Sequence, residues 1–139
     1  MTDLPILRLK PKMDPRRIRF GYPWVYDNEL VMDRRSKAIA PGSLALLEDA
    51  GREPLGLVAV NTASRIVGRV LDSAEVTELT PEWFTTRIAR ALSLRETLYD
   101  QPFYRLVHAE ADGLPGLIID RYGETCVIQL NTAGMDRLA

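Results

Sequence analysis

Three arginines, Arg16, Arg17 and Arg19, fall within four residues, and four aromatic rings follow at once: Phe20, Tyr22, Trp24 and Tyr26. A guanidinium forks onto two phosphate oxygens, and a flat ring stacks on an unpaired base. Basic residues interleaved with aromatics are what RNA recognition needs. The same residues have a plainer use. Phe20 and Trp24 can fill a small core, where large aromatics carry much of the burial, while the arginines lie solvated. The residue types favour the core for Trp24 and phosphate contact for the arginines. Arg65 and Arg69 lie four apart, which on a strand puts them on one face. They either extend the basic surface or are solvated.

The second group is Glu110-Ala111-Asp112-Gly113-Leu114-Pro115-Gly116. Acidic residues and glycines suggest a nucleotide loop, but the spacing does not fit one. A dinucleotide or S-adenosylmethionine (SAM) loop needs close glycines between a strand and a helix. Here Pro115 separates Gly113 from Gly116, and an apolar strand pattern follows. The segment reads as a shaped hairpin connection, with glycine and proline serving turn geometry. Glu110, Asp112 and Asp120 could hold a divalent cation or move a proton; carboxylates in turns more often accept backbone hydrogen bonds. His108, the one histidine, reads as a hydrogen-bonded structural group in a strand. Cys126, the one cysteine, reads as a small buried hydrophobe. With one of each, a multi-histidine or cysteine-based metal site and an intrachain disulfide are excluded.

These residues need elements to position them. Residues 5–10 read as a short strand. Asp14 and Pro15 open a helical turn that Gly21 stops, and Pro23 makes the stretch around Trp24 and Tyr26 extended or turn-like. Strand patterns follow at 43–48, 55–60 and 65–71, separated by glycine and asparagine turns, as in a small β-barrel. Both faces of these strands are rather apolar, so a second element is expected to cover part of the outside. Thr80 and Pro81 then start a helix to about Tyr99, with Phe84, Ile88, Ala91 and Leu98 at helical spacing. Strands at 104–109, 117–121 and 125–130 form a meander, and from Asn131 the chain reads as the opening of a further helix. The fold class is α+β: a barrel, then a helix with an antiparallel meander. The chain reads as cut inside an element.

Composition sets the outer bounds. The chain has 139 residues, 46% hydrophobic and 27% charged, which is globular. No apolar run approaches the ~20 residues of a membrane helix, and the N-terminus has no apolar segment of a secretory signal. The expectation is a soluble cytoplasmic protein without membrane partners. Net charge is −1, yet residues 1–40 carry +4 and residues 41–139 carry −5. A basic N-terminal part on an acidic remainder points to one anion-facing surface.

The runs RRIRFGYPWVYDNEL, PGSLALLEDAGREPLGLVAVN and SRIVGRVL together resemble the N-terminal PUA domain of bacterial large-subunit rRNA methyltransferases of the cytosine-C5 type. RLVHAEADGLPGLIIDRYGETCVIQLNTAGMDRL is similar to the central domain of the same family; Tyr22 stands where the family usually has histidine. The resemblance implies a PUA-like RNA-binding barrel over 1–74 and the N-terminal part of a central α+β domain over 75–139. It also implies a C-terminal Rossmann-like domain, absent here, that binds SAM and carries the catalytic cysteine. On this reading the segment has no catalytic residue and binds no cofactor itself. Its partners are large-subunit rRNA and the missing methyltransferase domain. The residues assigned to RNA are Arg16, Arg17, Arg19, Tyr22, Trp24, Arg65 and Arg69, and Glu110, Asp112, Gly113 and Pro115 form a loop that could face the active site. The competing expectation is a stand-alone protein-interaction or dimerisation module without RNA.

Overall fold

The computed structural model describes residues 4–138. Its first sheet is built from β1 (Ile6–Arg8), β2 (Trp24–Tyr26), β3 (Leu44–Glu48), β4 (Pro54–Val60) and β5 (Ile66–Asp72), in the order β1-β3-β4-β5-β2. The β1–β3 pair is parallel and the other pairs are antiparallel. Two short helices, α1 (Arg16–Arg19) and α2 (Arg34–Lys37), sit in the connections. The sheet is a curled half-barrel. Its two edges approach where Leu9 bridges Leu30, flanked by Lys10 N–H donating to Glu29 O at 2.9 Å and Val31 N–H to Arg8 O at 2.8 Å.

Alternation explains the first core. Ala45 and Leu47 of β3, Val58 and Val60 of β4, and Leu7 and Val25 from the edge strands all point inward and are buried. Each such leucine or valine contributes about 1.5–3 kcal/mol by leaving water. Ile18 drops into the same core and anchors α1 to the barrel. β2 is a strand where Pro23 predicts an extended or turn-like stretch. Pro23 is compatible with it because β2 is an edge strand, paired only with β5.

The second sheet, β6 (Phe103–His108), β7 (Leu117–Tyr122) and β8 (Thr125–Leu130), is the expected meander. Helix α3 (Pro81–Leu98) precedes it, with Thr80 accepting from Trp83 N–H at 3.2 Å. Thr80→Ala should therefore cost about 1 kcal/mol, read as a shifted urea midpoint with unchanged slope. Ala91, with Phe84 and Ile88, packs on Leu106, Val107 and Ile119. Leu98 does not join them and is exposed, as is Leu94.

Helix α4 (Ala133–Arg137) is wedged between the two sheets. Met135 belongs to the second core, while Gly134 lies against Ala59 of β4, and Arg137 donates to Ser43 Oγ at 2.9 Å. This helix is the cover that the apolar outer face of the barrel strands called for. Two expectations fail on the second sheet. Cys126 is exposed rather than buried, because β8 is an edge strand with all six residues exposed. His108 is also exposed, at the end of β6; its backbone N–H donates to Asp112 Oδ2 at 2.7 Å, and its imidazole makes no hydrogen bond among the described residues.

Candidate nucleic-acid interface

Helix α1 is a single turn, and its arginines point outward because Ile18 takes the inward position. Asp14 accepts from the Arg16 amide at 3.0 Å and from its guanidinium at 2.7 Å. The side-chain hydrogen bond from Arg16, then that from its amide, holds the Asp14 carboxyl down at about 2. Arg16 is still 76% exposed along its side chain, so this pair is readily exchanged for another anion. Arg17 is more committed. It pairs with Glu29 and lies 4.4 Å from the Tyr22 ring centroid, while Tyr22 N–H donates to Arg17 O at 3.1 Å. Arg19 reaches Asp49 only loosely, at 3.4 Å. Gly21, with φ +103°, ends the turn in a conformation that glycine adopts without strain.

The aromatic residues separate in an unexpected way. Trp24 is half-buried in β2, opposite Arg69 of β5, whose guanidinium sits 5.8 Å from the indole centroid. Phe20, a core candidate by residue type, is 85% exposed. The reason is geometric: Ile18 already fills the inward position, and Phe20 follows at the end of the turn, pointing out.

Arg65 and Arg69 do not share a strand face. The β5 strand begins at Ile66, so Arg65 lies in the preceding turn, where its carbonyl accepts from Asp27 N–H at 2.9 Å and its side chain is exposed. Arg69 turns toward the second sheet, with a guanidinium nitrogen 3.8 Å from Glu110 Oε1.

The 110–116 connection is a joint with its carboxylates engaged. Glu110 Oε1 accepts from Gly116 N–H at 3.0 Å. Asp112, nearly buried, accepts from Arg95 and from His108 N–H, both at 2.7 Å. Gly113, with φ +72°, presents its carbonyl to Arg87 at 3.0 Å; Pro115 is buried. Asp120 is bound by Arg105 at 2.8 Å, and that hydrogen bond lowers its pKa. Among the described residues no three His, Cys, Asp or Glu side chains are grouped to hold a metal ion.

Sequence reasoning missed the residues that join the sheets. Asp72, at the end of β5, accepts from Trp83 Nε1 at 2.8 Å and from Arg87 at 2.9 Å. Arg87 also lies 4.3 Å from the Trp83 ring centroid and holds Gly113 O. The one available signal was the i, i+4 spacing of Trp83 and Arg87 on α3.

The decisive likeness covers the half-barrel. Residues 7–73 match the family of PUA-like domains. The matched stretch carries α1, Trp24 and Arg69, and ends one residue beyond Asp72. The similarity extends through the second sheet. A ribosomal RNA large subunit methyltransferase of Deinococcus radiodurans is 34% identical over 140 residues, covering 95% of this chain and 34% of the relative. Ribosomal RNA large subunit methyltransferase I of Shewanella amazonensis is 37% identical over 133 residues, covering 94% of this chain and 33% of the relative. Among solved structures, a candidate SAM-dependent methyltransferase from Streptococcus mutans superposes with a TM-score of 0.77 at 15% identity, over 96% of this chain and 34% of that one. A second, complexed with S-adenosylhomocysteine, superposes at 0.73 with 14% identity, over 96% of this chain and 33% of its own. The fold of the half-barrel with its following helix and meander is therefore shared with these two structures. This chain spans about a third of the length of the relatives it matches.

Proposed function

We propose that this chain is the N-terminal RNA-binding and linking segment of a SAM-dependent rRNA cytosine-C5 methyltransferase acting in the cytoplasm. The observation that carries this reading is the similarity to large-subunit rRNA methyltransferases across 95% of the chain, through both sheets and not the PUA-like domain alone. The PUA-like domain, residues 1–74 in this division, holds large-subunit rRNA through α1 and its flanks. Residues 75–139 link it to a catalytic domain outside this chain. No helix among the described residues is long and apolar enough to cross a membrane.

SAM belongs to that outer domain. Gly113 and Gly116 lead into β7, not into a helix, so they offer no row of helix N-terminal amides to a cofactor. The 110–116 joint, stiffened by Arg87 and Arg95, is the element assigned to face the active site of the whole enzyme. The chain itself performs no methyl transfer on this reading.

Binding to a structured large-subunit rRNA fragment should be micromolar or weaker and steeply salt-dependent. The Arg16→Ala/Arg19→Ala double variant should weaken it several-fold and flatten the log–log salt slope by about 0.7–0.9 per lost phosphate contact. Fluorescence anisotropy across a salt series checks this; an unchanged slope means the surface is misassigned. In the full-length protein, C5 methylation of rRNA, read by mass spectrometry, tests the activity.

One observation favours a second reading. The exposed side chains of Val127, Ile128 and Leu130 lie on an edge strand that carries no charged residue. A homodimer or another protein paired there would make this an interaction module. Light scattering that shows a stable dimer, with no response to RNA, would favour it.

A further inference from the structure

We infer that Phe20 is a stacking platform for a single unpaired base of the RNA. This rests on the RNA-binding reading above and specifies which ring meets the base and what form of RNA it takes. Four aromatics crowd this end of the PUA-like domain, but three have other roles. Arg17 covers Tyr22, Arg69 sits by Trp24, and Tyr26 is half-buried in β2. Phe20 is 85% exposed.

The backbone that carries the ring is also held in place. Ile18, two residues earlier, is buried in the barrel core, and Phe20 N–H donates to Arg16 O at 2.9 Å. Gly21 N–H donates back to Ile18 O at 3.0 Å. The backbone beneath Phe20 is thus fixed from both sides, and little ordering is left for a ligand to impose.

Charge selects the occupant. Exposed Arg16 and Arg19 belong to the single helical turn that ends at Phe20, and exposed Lys10 and Lys12 precede it. Arg16 keeps only an exposed partner in Asp14, and Arg19 a loose one in Asp49, so phosphates on either side of a base can recruit both. A paired base hides its faces within the helix stack; an unpaired one offers them to an aromatic ring. The combination of a free ring and replaceable guanidinium partners fits a nucleotide better than an apolar peptide.

The test uses the folded chain and three RNA probes: a mixed-sequence single strand, the same strand with abasic residues, and a blunt-ended duplex. The wild type should bind the intact strand about tenfold more tightly than the abasic strand, the loss expected for one base–aromatic stack. Phe20→Ala should bind both strands alike, with its salt slope unchanged, and Phe20→Trp should restore the preference. Equal binding of the intact strand by wild type and Phe20→Ala overturns the platform while leaving RNA binding intact. Equal weakening on all three probes also overturns it, since that loss is not stacking. If the wild type binds none of the three at low salt, the RNA-binding reading falls as well. Phe20 is exposed, so its replacement leaves the core untouched.

Discussion

Asp72→Ala should lower the unfolding free energy by about 2 kcal/mol, because it leaves two half-buried donors without their acceptor. Asp72 receives Trp83 Nε1 at 2.8 Å and Arg87 at 2.9 Å, and it is the last residue of the last barrel strand. The lost contacts lie between the sheets and not within either one. Beyond the stability loss, the two sheets should therefore uncouple. Backbone amide resonances of β3 and of β7 follow each sheet in urea with both tryptophans and the clamp in place. The two transitions should coincide in the wild type and separate in Asp72→Ala. Acid adds a second reading. Burial pushes the Asp72 pKa up, but hydrogen bonds from Trp83, Ser73 N–H and Arg87 outweigh it, and the net shift is below the ordinary 3.8. A carboxylate lowered on folding stabilises the fold above its unfolded pKa, and that stabilisation fades as pH falls through the lower, folded value. Asp72→Asn should flatten the acid limb below about pH 4. A change under about 0.5 kcal/mol with coincident transitions would show that Asp72 is no clamp, since surface substitutions away from such features stay within that range.

The strands and the long helix could be read from the sequence because their signals are local. Thr80-Pro81 marks a helix start by itself, and turns such as Pro41-Gly42 and Tyr122-Gly123 mark strand ends. The three-residue β2 carried too little periodicity to be told from a turn, and only its pairing with β5 makes it a strand. Burial was less legible than element type. Cys126, Val127 and Ile128 look like a core strand, yet β8 is an edge strand whose six residues are all exposed. Phe20 looks like core, yet Ile18 holds the inward place. The candidate site was legible as a cluster of residue types but not as a division of labour. Which arginine is free and which is engaged depends on Glu29, Asp49 and Glu110, and these are brought in by tertiary contacts. Asp72, eleven residues before Trp83, had no sequence signature at all.

Gly42→Ala should cost about 2–4 kcal/mol, from two sources that experiment can separate. Gly42 has φ +87°, and an alanine there carries left-handed strain of about 1–2 kcal/mol whatever surrounds it. The added Cβ would also stand 2.5 Å from Ala133 O and 3.1 Å from Arg137 Cβ. The first of these is a backbone atom of α4 and cannot rotate aside, so the helix must move. Gly134 makes the complementary close approach, where a Cβ would lie 2.8 Å from Ala59 Cβ. The two glycines thus let α4 lie flush on the barrel from both sides. If each alanine displaces the same helix, the second displaces nothing more, and the double variant should cost less than the two single variants summed. Hydrogen exchange at Met135 and Asp136, whose amides donate to Thr132, should accelerate in either single variant. Simple additivity with unchanged exchange would confine the effect to local strain at the turn. Subadditivity with fast exchange would mean that α4 leaves as a unit. The half-barrel would then lose its packing against the second sheet at α4 and keep the Asp72 clamp and the Arg69–Glu110 pair.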